Sequence, residues 1–190
     1  MSINATNFLA ALPGKRVSVT AHAVTVASVL RSGRVAHGAL ADNGMYAEPQ
    51  ATIYPLSGAF GKEIVSGDLF TVDGTSGICF SVDHINEDTI DRIAVLLLEK
   101  TGTFDGSTFA CNVKATIATT DFDIGGATEA TEEMIITHSS LLPTGSDTPR
   151  TGDAITLPDG TIRSVNSVST DFSGAVLHIR CTSKGAPKNG

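Results

Sequence analysis

The stretch GDLFTVDGT, Gly67 to Thr75, is written again 85 residues later as GDAITLPDGT, Gly152 to Thr161. Self-similarity at a fixed spacing is the mark of a duplicated supersecondary unit, so this near-copy constrains the fold more than any composition figure. Gly67-Asp68 aligns with Gly152-Asp153, Thr71 with Thr156 and Val72 with Leu157. Asp73-Gly74-Thr75 aligns with Asp159-Gly160-Thr161, with Pro158 as an insertion. Gly-Asp before an extended run gives a turn, and Asp-Gly supplies the positive φ of a tight hairpin. The phrase therefore reads as turn, strand and hairpin without any chemistry.

The alignment extends downstream. Val82 is matched to Val165, Ile85 to Val168, Asp88 to Asp171, and Ala94–Glu99 to Ala175–Arg180. It decides an ambiguous segment. NEDTIDRIAVLLLEK shows Ile90, Ile93 and Leu97 at helical spacing, but its counterpart AVLHIR alternates like a strand after a Ser-Gly turn. Ala94–Leu98 is therefore expected to be a strand. Upstream, QATIYPL is placed like EMIITHSSLL. Each half then reads as five or six strands, and the fold expected is mostly β, two tandem small β-barrels or sandwiches of SH3-like or Greek-key type.

The boundaries expected are an N-terminal arm over 1–15, helical or extended, a first β domain over 16–100, a Gly-rich linker over 101–108 (TGTFDGST), a second β domain over 109–182, and a loose tail over 183–190. Within the first domain, RVSVTAHAVTVASVL changes phase at Val24, so two strands or one bent strand fit. Pro49 and Pro55 bracket a short strand and suit a sheet edge. DFDIGGATEATE, between two strands of the second half, reads as a loop rich in Gly, Thr and acid.

Composition sets the function classes. Hydrophobic residues are 41% and charged ones 17% of the chain, which suits a folded core. The formal net charge is −7, with no basic block to neutralise phosphates, so a dedicated nucleic-acid binder is excluded. Cys79, Cys111 and Cys181 are odd in number and widely spaced, giving neither a disulfide framework nor a zinc motif. No signal peptide or membrane-spanning run is read, and a reducing cytoplasm is the expected place of synthesis. His22, His37, His84, His138 and His178 are scattered, and no GxSxG elbow, P-loop or GxGxxG occurs. The most metal-like stretch holds Asp121, Asp123, Glu129, Glu132 and Glu133, whose oxygens suit Ca²⁺ but lack the EF-hand pattern. A solvated acidic loop that reaches a neighbouring subunit is the reading carried forward. No catalytic residue, cofactor or metal is expected.

The second half resembles the head–tail joining proteins of tailed phages. The parts that carry the resemblance are the acidic-Gly segment Asp121 to Gly126, the strand Met134 to Thr137, the turn and strand Gly152 to Gly160, the hairpin Val165 to Gly174, and the last strand Val176 to Arg180. The first half looks like a degenerate copy, with ADNGMYAEPQATIYPL and SGDLFTVDGT, and the likeness spans roughly residues 17–182. Members of that family usually carry one such domain, whereas this chain writes two. The resemblance implies a non-catalytic virion protein, assembled in the host cytoplasm. It would form a homo-oligomeric ring between portal and tail proteins, with double-stranded DNA passing an acidic lumen unbound. The inter-subunit loops expected are those holding Asn43, Tyr46 and Glu48 and those holding Asp121, Asp123, Glu129 and Glu132. A carbohydrate- or receptor-binding module of a phage tail is the alternative, against which the absence of Trp weighs.

Overall fold

The computed structural model describes residues 13–32, 50–56, 60, 63–86, 89–123, 126–143 and 148–183. The chain divides into two compact units, Met1–Leu97 and Leu98–Gly190. Unit one holds β1 (Lys15–Ala21), β2 (Val24–Ser32), β3 (Ala51–Pro55), β4 (Leu69–Val72), β5 (Thr75–Asn86) and β6 (Thr89–Leu97). Unit two holds β7 (Lys100–Phe104), β8 (Ser107–Asp123), β9 (Gly126–His138), β10 (Ala154–Thr156), β11 (Ile162–Asp171) and β12 (Val176–Ser183), with short 3₁₀ turns at Ser139–Leu141 and Phe172–Gly174.

Each unit is a closed antiparallel barrel. The first runs β1-β2-β3-β6-β5-β4 and closes through β1 and β4. The second runs β7-β8-β9-β12-β11-β10 and closes through β7 and β10. The two orders are the same order, so β1 to β6 correspond one by one to β7 to β12. The duplication written in the sequence is thus a duplication of topology.

Period-two alternation drives each strand onto its barrel. In β1, Val17, Val19 and Ala21 are buried while Ser18 and Thr20 are not. The first core gathers Val17, Val19, Ile53, Phe70, Val72, Ile93 and Val95, with Phe60 tilted against Phe70 at 6.3 Å between ring centroids. The second gathers Phe109, Ile135, Ile155, Leu157, Val165, Leu177 and Ile179. Each such side chain contributes about 1.5–3 kcal/mol by leaving water.

Several expectations change. The phase shift at Val24 is a hairpin between two strands, turned by His22 (φ 48°) and Ala23 (φ 64°). Residues 101–108 are no linker. They form the β7–β8 hairpin, turned at Asp105-Gly106, and the Gly and Thr taken for flexibility are turn and strand residues. β3 is no edge strand, since it is flanked by β2 and β6. Its ladder to β6 stops at Ile53, so Pro55 lies beyond the point where a missing N–H would cost a bond. Of the expected strand Ala94–Leu98, Ala94–Leu97 is strand, the end of a β6 that starts at Thr89, and Leu98 lies just past it. The N-terminal arm before Pro13 and the tail after Ser183 lie outside the described residues.

The downstream register also differs from the letter match. Cys79 and Val165 occupy equivalent rungs, as do Val82 and Val168, and Ala94 and Arg180. A bulge follows Cys79 in the first barrel and Val165 in the second, and it fixes both registers. The Ala-Val-Leu triplets that invited the match sit at different heights on equivalent strands.

Candidate functional site

The repeated phrase is a structural staple. Gly67 and Gly152 both adopt φ 96°, a region that residues with a Cβ rarely adopt. In the first copy the Asp68 N–H donates to Val65 O (3.1 Å), and the Asp68 carboxylate takes the Val65 N–H at 2.9 Å. In the second, Asp153 and Arg150 make the same two bonds at 3.0 and 2.7 Å. Gly67 N–H and Asp68 O then pair with Cys79, and Gly152 and Asp153 pair with Val165. The hydroxyls of Ser66 and Thr151 donate to the bulge carbonyls of Phe80 and Asn166, at 2.8 and 3.0 Å. These bonds close each barrel on itself.

The cysteines, His22 and His178 are buried or bonded within their own barrels. The thiol of Cys79 is pushed up to about 12 by burial, and those of Cys111 and Cys181 to about 11 by the same cause, so none is a thiolate nucleophile near neutrality. All three are free and buried. His22 Nε2 meets Asp68 Oδ2 at 3.0 Å and so ties the β1–β2 turn to the Gly-Asp turn. His178 is buried on β12. Its Nε2 lies 3.2 Å from Asp171 Oδ2 but makes no aligned hydrogen bond. Burial holds its pKa below the usual value, against the pull of Asp171. Among the described residues no group of three His, Cys, Asp or Glu is placed to hold a metal ion.

What the second barrel offers instead is an arm. β8 pairs with β7 only from Ser107 to Cys111, and β9 pairs with β12 only from Glu132 to His138. Beyond these, Ala118–Asp123 and Gly126–Thr131 pair with each other as a two-stranded ribbon. At about 3.3 Å per residue the ribbon runs roughly 20 Å past the barrel's last rung. Asp121, Asp123 and Glu129 lie on it, with Asp121 opposite Thr128 and Glu129 opposite Thr120. The acidic segment expected as a loop is therefore a β-hairpin, because Thr, Ile and Ala on both sides of Gly125-Gly126 favour paired strands.

Its root is braced. A bulge between Ala115 and Ala118 bends β8 where it leaves the barrel. Glu132 stands at the root, opposite Thr182. Next to it the half-buried Glu133 accepts a 2.7 Å hydrogen bond from Arg163 Nε, across β12. Thr182 donates to Asn166 at 3.0 Å beside them. Sequence alone places Glu133 among the loop acids and gives Arg163 no role. No local signal joins them, since Glu133 on β9 and Arg163 on β11 meet only across β12. Asn43, Tyr46 and Glu48 lie outside the described residues.

Comparison with protein-family models, with curated proteins and with solved structures finds no match.

Proposed function

We propose that this chain is a structural assembly protein, a head–tail connector that forms a ring of copies between the capsid portal and the tail of a tailed phage. The observation that carries the reading is the β8–β9 ribbon, a long paired arm set on a closed barrel. An arm of this kind suits contact with another protein better than chemistry. The likeness of the second half to head–tail joining proteins gives that contact its context, and the tandem of equal barrels supplies repeated side walls for a ring. With a net charge of −7, a lumen lined by this chain lets DNA slide without lasting phosphate contacts.

The test is direct. Particles from a phage lysate are labelled with an antibody against this chain and imaged by electron microscopy, and purified chain is added to portal-bearing capsids. Label confined to the neck and ring density on the portal are expected. Label elsewhere on the particle, or none together with no binding to portal, rejects the reading.

A further inference from the structure

We propose that Asp105, at the β7–β8 turn, is a site of spontaneous backbone modification, where its side chain closes on the Gly106 nitrogen and the Asp105–Gly106 link becomes isoaspartyl. The other two Asp-Gly turns of the chain, Asp73-Gly74 and Asp159-Gly160, are protected from the same reaction. This site goes beyond the assembly reading above and does not depend on it.

The step needs only water. The Gly106 amide nitrogen attacks Cγ of the protonated Asp105 carboxyl. A C–N bond forms, and the carboxyl hydroxyl leaves with the amide hydrogen as water. The product is a five-membered succinimide. One water then opens the ring, so nothing is oxidised or reduced. Attack at Cγ returns aspartate. Attack at the Asp105 main-chain carbonyl carbon leaves the chain running through Cβ and Cγ, which is isoaspartate. Gly suits this closure as the next residue, because no Cβ shields its nitrogen.

All three pairs share that chemistry, and their hydrogen bonds separate them. The Asp73 carboxylate accepts the Ser18 N–H at 2.8 Å on Oδ1 and stands 3.0 Å from Lys15 Nζ through Oδ2. The Asp159 carboxylate accepts the Thr161 N–H at 2.9 Å and the Thr161 hydroxyl at 2.6 Å. There the attacking nitrogen is held as well, since Gly160 N–H donates to Leu157 O at 2.9 Å. The bonds from Ser18 and from Thr161 also keep the two carboxyls ionised to lower pH, away from the reactive protonated form. Asp105 stands differently. Phe104 pairs with Ser107, so Asp105 and Gly106 lie outside the ladder, both exposed and both at positive φ. Neither the Asp105 carboxylate nor the Gly106 N–H has a partner among the described residues. The matching residue of the first barrel, His22, is tied to Asp68 at 3.0 Å.

Isoaspartate inserts one backbone carbon into a two-residue turn. Phe104 and Ser107 then no longer meet in register. The change falls on β7, which closes the barrel where Thr103 meets Thr156, two residues before Asp105.

The intact wild-type chain tests this. It is held for several weeks at mildly acidic pH and physiological temperature, then digested with trypsin. Cleavage after Lys and Arg puts the three pairs in separate peptides, 63–92, 101–114 and 151–163, apart from Asn43-Gly44. Electron-transfer fragmentation tells isoaspartate from aspartate in each. The level in 101–114 is expected to exceed that in either other peptide about tenfold or more, the factor imposed when a charge-assisted hydrogen bond must first break. The same chain held in urea should give similar levels in all three, since the protecting bonds are gone. Asp105→Glu, whose closure needs a six-membered ring, should lose the 101–114 signal. Equal isoaspartate in the three peptides of the folded chain, a higher level in 63–92 or 151–163, or none in 101–114 would each overturn the assignment. So would an excess in 101–114 that persists unchanged in urea, because local sequence and not the fold would then set it.

Discussion

The two barrels share a strand order and a closing turn but fill one spot in opposite ways. Val19 on β1 faces Val26 on β2, while the equivalent pair on β7 and β8 is Gly102 and Phe109. A Cβ placed on Gly102 would sit 2.8 Å from the Phe109 ring, so the ring occupies the volume that a β1 side chain takes in the first barrel. One scaffold therefore accepts two core solutions, provided that total volume is kept. The sharpest way to break this comparison is to mix the solutions. Phe109→Ala should cost about 3–5 kcal/mol and Gly102→Val about 1–3 kcal/mol in urea unfolding. The double change Gly102→Val with Phe109→Val restores the first barrel's pair and should cost less than the two single changes to Val summed. Simple additivity would show that the two spots are not equivalent.

Next in size is the staple. Asp68 holds Val65 and His22, whereas Asp153 holds Arg150 and has Asp105 where the first barrel has His22. Asp68→Ala should thus destabilise by about 1–3 kcal/mol and Asp153→Ala by about 0.5–1.5 kcal/mol, one hydrogen bond less. Equal losses would mean that the His22 contact contributes nothing.

A smaller, pH-dependent difference lies on β6 and β12. Arg92 faces Asp83 across the strand pair and bonds to it, and that bond holds its guanidinium in the charged form. The equivalent His178 faces Ser169, so its nearest carboxylate is Asp171, off the line of a bond. Burial lowers the His178 pKa from the ordinary 6.5. The unfolded chain then binds that proton more readily. Stability is full above pH 6.5 and falls as pH drops below it. Thermal melts between pH 8 and 5 should show this loss, and Ser169→Asp, which copies the first barrel, should shrink it. Asp73 and Asp159 act in a lower window. Hydrogen bonds from Ser18 and Thr161 hold their carboxyls below the usual 3.8, so their contribution is present above that value and lost as pH falls further. A melt unchanged from pH 8 to 5 would contradict the His178 account.

The smallest effect concerns Pro158. Val72 to Thr75 is a two-residue turn at Asp73-Gly74, both with positive φ, whereas Leu157 to Thr161 has one residue more. Gly160 N–H returns to Leu157 O, and the Asp159 carboxylate takes the Thr161 N–H at 2.9 Å. Deleting Pro158 should convert one hairpin type into the other within about 0.5 kcal/mol, because both turns fit the strand twist. A large loss would mean that the longer turn is required by the second barrel.

Most of this architecture was legible in the sequence because turn chemistry is local. Gly67-Asp68, Asp73-Gly74 and their copies act through their own backbones, and the repeat turned a doubtful helix at NEDTIDRIAVLLLEK into β6. What escaped was non-local. The register of β5 on β6 depends on a bulge at Phe80 that no letter announces. The arm was read as a loop because Asp, Gly and Thr are turn formers wherever pairing is not considered. Residues 101–108 were read as a linker for the same reason. Of the candidate site, the acids Asp121, Asp123, Glu129 and Glu132 were picked from composition. Their placement on a paired ribbon, and the Glu133–Arg163 brace beneath it, needed the ladder.

The central claim is that the second barrel's ribbon is the part that joins copies. Sedimentation velocity on the intact chain and on a chain in which an Asn-Gly turn replaces residues 116–131 tests it most directly. An oligomer for the first and a folded monomer for the second are the results predicted. A trimmed chain that still assembles like the intact one would contradict the claim.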